Sequence, residues 1–259
     1  MCLEWLFSYE RKCTSPLIFR MLWCDWKKVC TSSIWVPILA VPLLVVLIGF
    51  VIPRNLGPSS HEWSWLVLYS AMVQIYAIVL LPMVAGILAS LCCRGEHLGS
   101  GWKQLLALPV SRTVVYLSKF FYTLLFLALV QGLVLVAVLV DGFLFLHLTA
   151  PIPWQMLIKG FIAGWIATIP LAALQLWVST WWKSFGAPFA LNIILTIPAL
   201  AISNSSSYAP IYPWAQPMLA MRPTKNGLLD VTPETMITIT IAGITFIIGG
   251  WLHFIKRDV

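Results

Sequence analysis

The sequence predicts an all-α fold: a polytopic membrane protein with six transmembrane helices, an interfacial helix before them and a short cytoplasmic helix between spans 2 and 3. The chain of 259 residues is 60% hydrophobic and 10% charged. Its mean hydropathy of +0.91 is well above that of soluble domains. Six apolar runs approach the roughly 20 residues that cross a bilayer. They are Ile34 to Val51, Trp65 to Leu91, Val114 to Val140, Leu157 to Trp177, Phe185 to Ile202, and Ile237 to Phe254.

Residues 1–33 are predicted to be a cytoplasmic amino-terminal segment, and residues 34–259 a single transmembrane domain. Within the segment, the stretch from Pro16 to Val29 has the pattern of an amphipathic helix. Its apolar stripe consists of Phe19, Leu22, Trp23 and Trp26, and Arg20, Lys27 and Lys28 lie off it. The stretch is either an interfacial helix or an amphipathic start to the first span, and both readings place it on the cytoplasmic surface.

The basic residues predict the orientation. With six spans, twelve of the sixteen Lys and Arg residues fall on the side that carries both termini. The positive-inside rule makes that side cytoplasmic, together with the loop from Arg94 to Lys119. A basic inner face suits anionic lipid, so the net charge of +7 requires no nucleic acid partner. All six cysteines fall on this side and are expected to be reduced.

The stretch from Arg94 to Lys119 is a charged interruption between the second and third spans. A short amphipathic helix is predicted from Gly101 to Leu108, and Pro109 ends it. Its apolar face consists of Trp102, Leu105 and Leu106. Ser111 is then placed to accept hydrogen bonds from the first amides of the third span.

The predicted span interiors hold amides but no ionisable residue away from the ends. Gln74, Gln131, Gln175 and Asn192 are candidate pathway residues, with hydrogen bonding between helices as the alternative role. The lack of deep charge disfavours a carrier driven by an ion gradient. It also disfavours an intramembrane enzyme, and no catalytic residue or metal-ligand cluster is predicted.

The segment from Ser203 to Thr235 is aromatic and rich in proline. It is predicted to dip into the outer interface, with Tyr212 and Trp214 at headgroup level. Thr232, followed by Pro233 and Glu234, predicts the start of the last helix.

The loop after the second span carries a recognisable pattern. It contains Glu96, followed by G-x-x-x-L-L-x-x-P-x-x-R, with Ser118 and Lys119 on entering the third span. The pattern residues are Gly101, Leu105, Leu106, Pro109 and Arg112. Together with the amphipathic amino-terminal helix and six spans, this pattern resembles the ABC-2 type transporter permeases. Among them the chain is most similar to bacterial subunits of lantibiotic or bacitracin-type immunity exporters.

The resemblance implies a membrane-spanning subunit of an exporter in the bacterial cell membrane, which moves an amphipathic substrate such as a peptide antibiotic, drug or lipid outward. The helix from Gly101 to Leu108 would be a coupling helix seated in a separate ABC-type ATPase. The implied coupling residues are Glu96, Gly101, Trp102, Leu105, Leu106, Pro109 and Arg112. ATP and magnesium would be bound by the partner, because this sequence has no G-x-x-x-x-G-K-[ST] loop. A second permease subunit, identical or homologous, would complete the path.

A second hypothesis is a membrane scaffold or assembly partner that holds another protein without moving a substrate. A further alternative for Trp102 is that of an anchor in lipid headgroups. A helix that transmits force must be held firmly by its partner. Substitutions on its apolar face should therefore weaken the coupling more than a substitution at Lys103, which lies off that face.

Overall fold

A computed structural model describes residues 23, 25–28, 32–56, 64–97, 101–102, 110–182, 184, 186–223 and 231–256, with the backbone alone for 52–56. The main helices are α1 (Trp35–Leu56), α2 (Trp65–Ile75), α3 (Leu81–His97), α4 (Arg112–Val140), α5 (Trp154–Trp181), α6 (Gly186–Ile202), α7 (Gln216–Met221) and α8 (Pro233–Lys256). Two π-helical stretches, Tyr76–Leu80 and Asp141–Phe145, continue α2 into α3 and extend α4. No β-strand occurs in these described ranges, and the predicted all-α fold is confirmed.

Each predicted span corresponds to a helix. Four are long and apolar enough to cross a membrane: Trp65–His97, Arg112–Phe145, Trp154–Trp181 and Pro233–Lys256. The apolar helices Trp35–Val51 and Gly186–Ile202 are shorter. The protein is therefore a multi-pass membrane protein. Several helices extend beyond the predicted runs, because hydropathy falls at polar and aromatic residues while the helical hydrogen bonds continue.

The ends of two helices follow the predicted capping chemistry. Ser111 is the N-cap of α4, and its side chain accepts a hydrogen bond from the Val114 amide. Thr232 accepts a hydrogen bond from the Thr235 amide at the start of α8. Both N-cap predictions are confirmed, and in each case a hydroxyl satisfies an amide that has no partner within the helix.

The second span is interrupted by the π-helical stretch Tyr76–Leu80 immediately before Pro82. Proline has no amide hydrogen, so Pro82 cannot donate to the carbonyl of Ile78 one turn earlier. A π-helical stretch is one way in which a helix accommodates such a break. It also places Tyr76 in the core, where its hydroxyl donates to Gln131 Oε1 at 3.1 Å.

The segment after α6 folds back into the bundle through two 3-10 turns, Ala209–Ile211 and Pro213–Ala215, and α7. Trp214 is only 3% exposed, and its indole nitrogen donates to Asn192 Oδ1 at 2.9 Å. The expectation that Trp214 lies at headgroup level is therefore wrong. Broken helical turns can enter the membrane region when protein groups satisfy them, and the Gln216 amide donates to the carbonyls of Ala209, Pro210 and Tyr212.

Candidate functional site

Several helix ends meet at one end of the bundle. The carboxyl ends of α3, α5 and α8 lie there with the start of α4, and a helical segment containing residues 25–28 packs beside them. We call the polar and aromatic residues that connect these elements the junction. Its members are Asp25, Lys28, Glu96, His97, Trp102, Arg112, Ser118 and Lys119.

A buried ammonium group lies at the centre of the junction. Lys119 Nζ is 3.0 Å from Asp25 Oδ1 and 3.1 Å from Glu96 Oε1. The three residues are 4%, 1% and 3% exposed, respectively. Charged side chains are almost never this buried without a partner, and here one cation bridges two anions from different elements. The N-terminal segment, α3 and α4 are thereby joined.

Two further donors complete the network. The Ser118 hydroxyl donates to Asp25 Oδ2 at 2.7 Å, and Lys28 Nζ donates to Glu96 Oε1 at 2.9 Å. The Lys28 side chain is 42% exposed, so water screens its charge more than that of Lys119. Each carboxylate thus has two donors, and the four charges of the network sum to zero.

Aromatic packing holds the N-terminal segment in place. The Trp26 ring stacks on Tyr122 and Phe126 of α4, with centroid distances of 6.3 and 6.4 Å. Trp23 is exposed, with Lys27 Nζ 5.7 Å from its ring centroid. Trp26, on the predicted apolar stripe, therefore faces α4, and this packing brings Asp25 to Lys119.

Trp102 lies in a small core of the protein itself. It is 7% exposed, and its ring meets that of Phe254 edge to face at 5.4 Å. The indole N–H donates to His97 Nδ1 at 3.2 Å. Because an indole can only donate, His97 carries its proton on Nε2, which donates to the Ser179 carbonyl at 2.7 Å.

Two other residues of the predicted coupling set also lie in or against the junction. A Cβ atom at Gly101 would be 3.0 Å from Glu96 Cα and 3.1 Å from Glu96 Oε2, so a larger residue would fit only if Glu96 shifted by a few tenths of an ångström. Arg112 donates to the carbonyl of Ile255 at 2.7 Å, at the carboxyl end of α8, where a cation is favourable. The predicted short helix is described at residues 101 and 102 alone, both helical. Leu105, Leu106 and Pro109 lie outside the described residues.

The four candidate pathway amides occupy separate positions. Gln74 is exposed on the surface of the bundle. Asn192 donates to the Pro82 carbonyl at 2.6 Å and accepts from Trp214. Gln131 accepts from Tyr76 through its oxygen, while its nitrogen and both amide atoms of Gln175 have no partner among the described residues. No hydrogen bond joins any two of the four, so they do not form one site in this conformation.

Among the residues that the structure describes, no group of three or more His, Cys, Asp or Glu side chains could hold a metal ion. The junction instead uses its carboxylates to bind side-chain cations.

The sequence profile of one protein family, described as ABC-2 family transporter protein, matches residues 21–199, more than two thirds of the chain. The chain belongs to this family. It is thus a membrane permease component of an ABC transporter, and membership implies an ABC ATPase as partner. No curated protein matches the sequence significantly.

The matched part of this ABC-2 permease includes residues 21–33 of the N-terminal segment and all eight residues of the junction. Five junction residues are absent from the coupling set predicted from sequence: Asp25, Lys28, His97, Ser118 and Lys119. The sequence indicates a solvated charge for Asp25, within an amphipathic segment, and a positive charge at the membrane boundary for Lys119. Two signals were available: the family pattern includes Ser118 and Lys119, and Asp25 adjoins Trp26, where an acid beside a buried apolar stripe must find a partner.

Proposed function

We propose that this permease is the membrane subunit of an exporter that moves an amphipathic substrate outward across a bacterial cell membrane. ATP and magnesium are bound and ATP is hydrolysed by a separate ABC-type ATPase subunit. A second permease subunit, identical or homologous, completes the translocation path. Both termini and the junction face the cytoplasm, in line with the twelve basic residues on that side.

The observation that carries the proposal is the buried ion network at the start of the segment 101–109. Lys119 joins three elements through contacts of 3.0 and 3.1 Å. Separating such a pair leaves a charge uncompensated in a poorly solvated region, which is costly. The N-terminal segment and the ends of α3 and α4 therefore move together, and displacement of the adjoining short helix is passed to two spans at once.

The position of Trp102 changes the role that we propose for it. Its ring packs against Phe254 and His97 of the same chain, so it anchors the first turn of the short helix to the permease. This packing argues against an anchor in lipid headgroups. We propose that Leu105 and Leu106 make the contact with the ATPase, and that Pro109 ends the helix.

The pathway assignment is also refined by the hydrogen bonds. Asn192 uses its amide nitrogen and oxygen to join α6 to α3 and to the folded-back segment, which is a structural role. Gln131 and Gln175 keep unused hydrogen-bonding atoms. We propose that these two amides meet substrate or water when the helices separate, and that Gln74 faces lipid or the second subunit.

The proposal is tested by purifying the permease together with its partner ABC ATPase and measuring ATP hydrolysis in lipid nanodiscs. The permease alone is expected to show no activity, and the complex to be active. Glu96→Gln should lower the permease-dependent stimulation several-fold, because it weakens the network around Lys119. Glu234→Gln, at an exposed acid on the opposite end of the bundle, is the matched control and should behave as wild type.

ATP hydrolysis by the permease alone, beyond contaminant controls, would contradict the proposal. A complex that forms normally but in which the permease never changes the ATPase rate would support the scaffold hypothesis instead.

A further inference from the structure

Asp141 is a fully buried carboxyl group at the end of the bundle opposite the junction. It is 0% exposed and begins the π-helical stretch Asp141–Phe145. Neither of its carboxyl oxygens has a hydrogen-bond partner among the residues that the structure describes. Within the described ranges no cationic side chain forms a salt bridge with it, in contrast to the acids of the junction.

The surroundings of Asp141 are apolar and closely packed. A Cβ atom at Gly49 of α1 would lie 2.1 Å from Asp141 Oδ2 and 3.0 Å from the Met72 methyl group of α2. A Cβ at the neighbouring Gly142 would lie 2.3 Å from the Trp65 ring. Gly49 of α1 and Met72 and Trp65 of α2 thus lie at or beside this site, and none of these three is charged or titratable near neutral pH. Because the enclosing contacts come from the same chain, a second subunit is not needed to bury the acid.

Whether a buried carboxyl group is ionised or neutral depends on the relative free energies of the two forms. An ionised carboxylate without a partner in an apolar interior is far more costly than a neutral carboxyl group with an unmade hydrogen bond. An ionisable residue at membrane depth therefore either finds a counter-charge or becomes neutral. The described side chains offer no counter-charge, and the close approach of Gly49 leaves little room for any cation larger than a proton.

We propose that Asp141 is a proton-binding site, occupied in the conformation described here. The carboxyl group is neutral while α1 and α2 enclose it. When those helices move apart and water reaches the site, the O–H bond breaks, the proton passes to water and the carboxylate remains. The π-helical stretch that begins at Asp141 suits this role, since single π-helical turns are frequent at functional sites. The inference rests on the geometry of Asp141 and does not depend on the ATPase-coupled function proposed above.

Infrared spectroscopy of the full chain in lipid nanodiscs tests the proposal, through the carbonyl stretching band of neutral carboxylic acids. At about pH 6, roughly two units above the ordinary pKa of an exposed aspartate, free carboxyl groups are ionised. A neutral-acid band is expected in the wild type, absent in Asp141→Asn and retained in Glu234→Gln, an exposed acid at the same end of the bundle.

A second measurement serves if Asp141→Asn does not fold. Wild-type protein labelled with ¹³C at the aspartate carboxyl carbons should show an isotope shift of the neutral-acid band, because Asp141 is one of only four aspartates in the chain. The proposal is overturned if the labelled aspartates give only carboxylate bands at about pH 6. That result would mean that Asp141 is ionised and paired with a cation.

Discussion

Two aspartates buried at opposite ends of this permease are in opposite situations. Asp25 and Asp141 are 1% and 0% exposed, respectively. Asp25 accepts hydrogen bonds from Ser118 and Lys119, whereas both oxygens of Asp141 lack a partner in the described part of the chain. Burial alone therefore does not define the role of an acid in this protein. The groups that face each acid define its role.

The difference suggests a division of labour between the two ends. The junction holds its charges in pairs, so its elements stay together and can transmit movement. The opposite end holds a group whose charge depends on a proton, so its packing can respond to a change of conformation or of pH. The junction thus keeps its helices together, whereas the site at Asp141 can change its protonation state.

The largest expected effect comes from removing the central cation of the junction. Lys119→Met would leave Asp25 and Glu96 without their buried partner, and we expect a loss of about 3–5 kcal/mol in the free energy of unfolding. Lys28→Met is the matched control. Because Lys28 is 42% exposed, its loss should cost less than about 1 kcal/mol. Thermal unfolding of both variants in nanodiscs measures the difference, and equal losses would show that the pairing at Lys119 is not what holds the junction.

A smaller effect is expected at the other end, where packing rather than pairing dominates. Gly49→Ala places a methyl group 2.1 Å from Asp141 Oδ2, so the carboxyl group must shift, at a cost of about 1–3 kcal/mol. Gly95→Ala is the control, since its Cβ would meet no atom within 4 Å. It should be neutral or stabilising by up to about 1 kcal/mol through helix propensity. The same unfolding assay compares them, and a Gly49→Ala variant as stable as Gly95→Ala would exclude tight packing around Asp141.

Much of the fold could be predicted from the sequence, because apolar runs and capping residues are local signals. All six predicted spans are helices, and Ser111 and Thr232 cap as expected. The family resemblance assigns Gly101 and Arg112 to the coupling set. In the structure both make close contacts near or within the junction. Pairing between distant residues was not predictable: Asp25 and Lys119 are 94 positions apart, and no local pattern connects them.

Two features of the structure could not be predicted from the sequence for related reasons. Helical periodicity places Trp102 on an apolar face but cannot say what covers it, and the structure shows that the protein's own Phe254 does. The predicted apolar run of the third span ends at Val140, which leaves Asp141 just beyond the span. In the structure the helix continues through a π-helical turn, and this continuation keeps Asp141 inside.

The most direct test of the difference between Asp25 and Asp141 is the same substitution, aspartate to asparagine, at each position. Asp25→Asn and Asp141→Asn both replace a carboxyl group by an amide of similar size, and their unfolding midpoints can be compared with wild type in nanodiscs at about pH 6. Asp25→Asn should lose hydrogen bonds with a charged partner, worth about 1.5–3 kcal/mol, and its midpoint should fall by several degrees. Asp141→Asn replaces one neutral group by another and should leave the midpoint within about a degree or two of wild type. A loss in Asp141→Asn as large as that in Asp25→Asn would contradict the account, because it would mean that the carboxylate of Asp141 is charged and held by a partner.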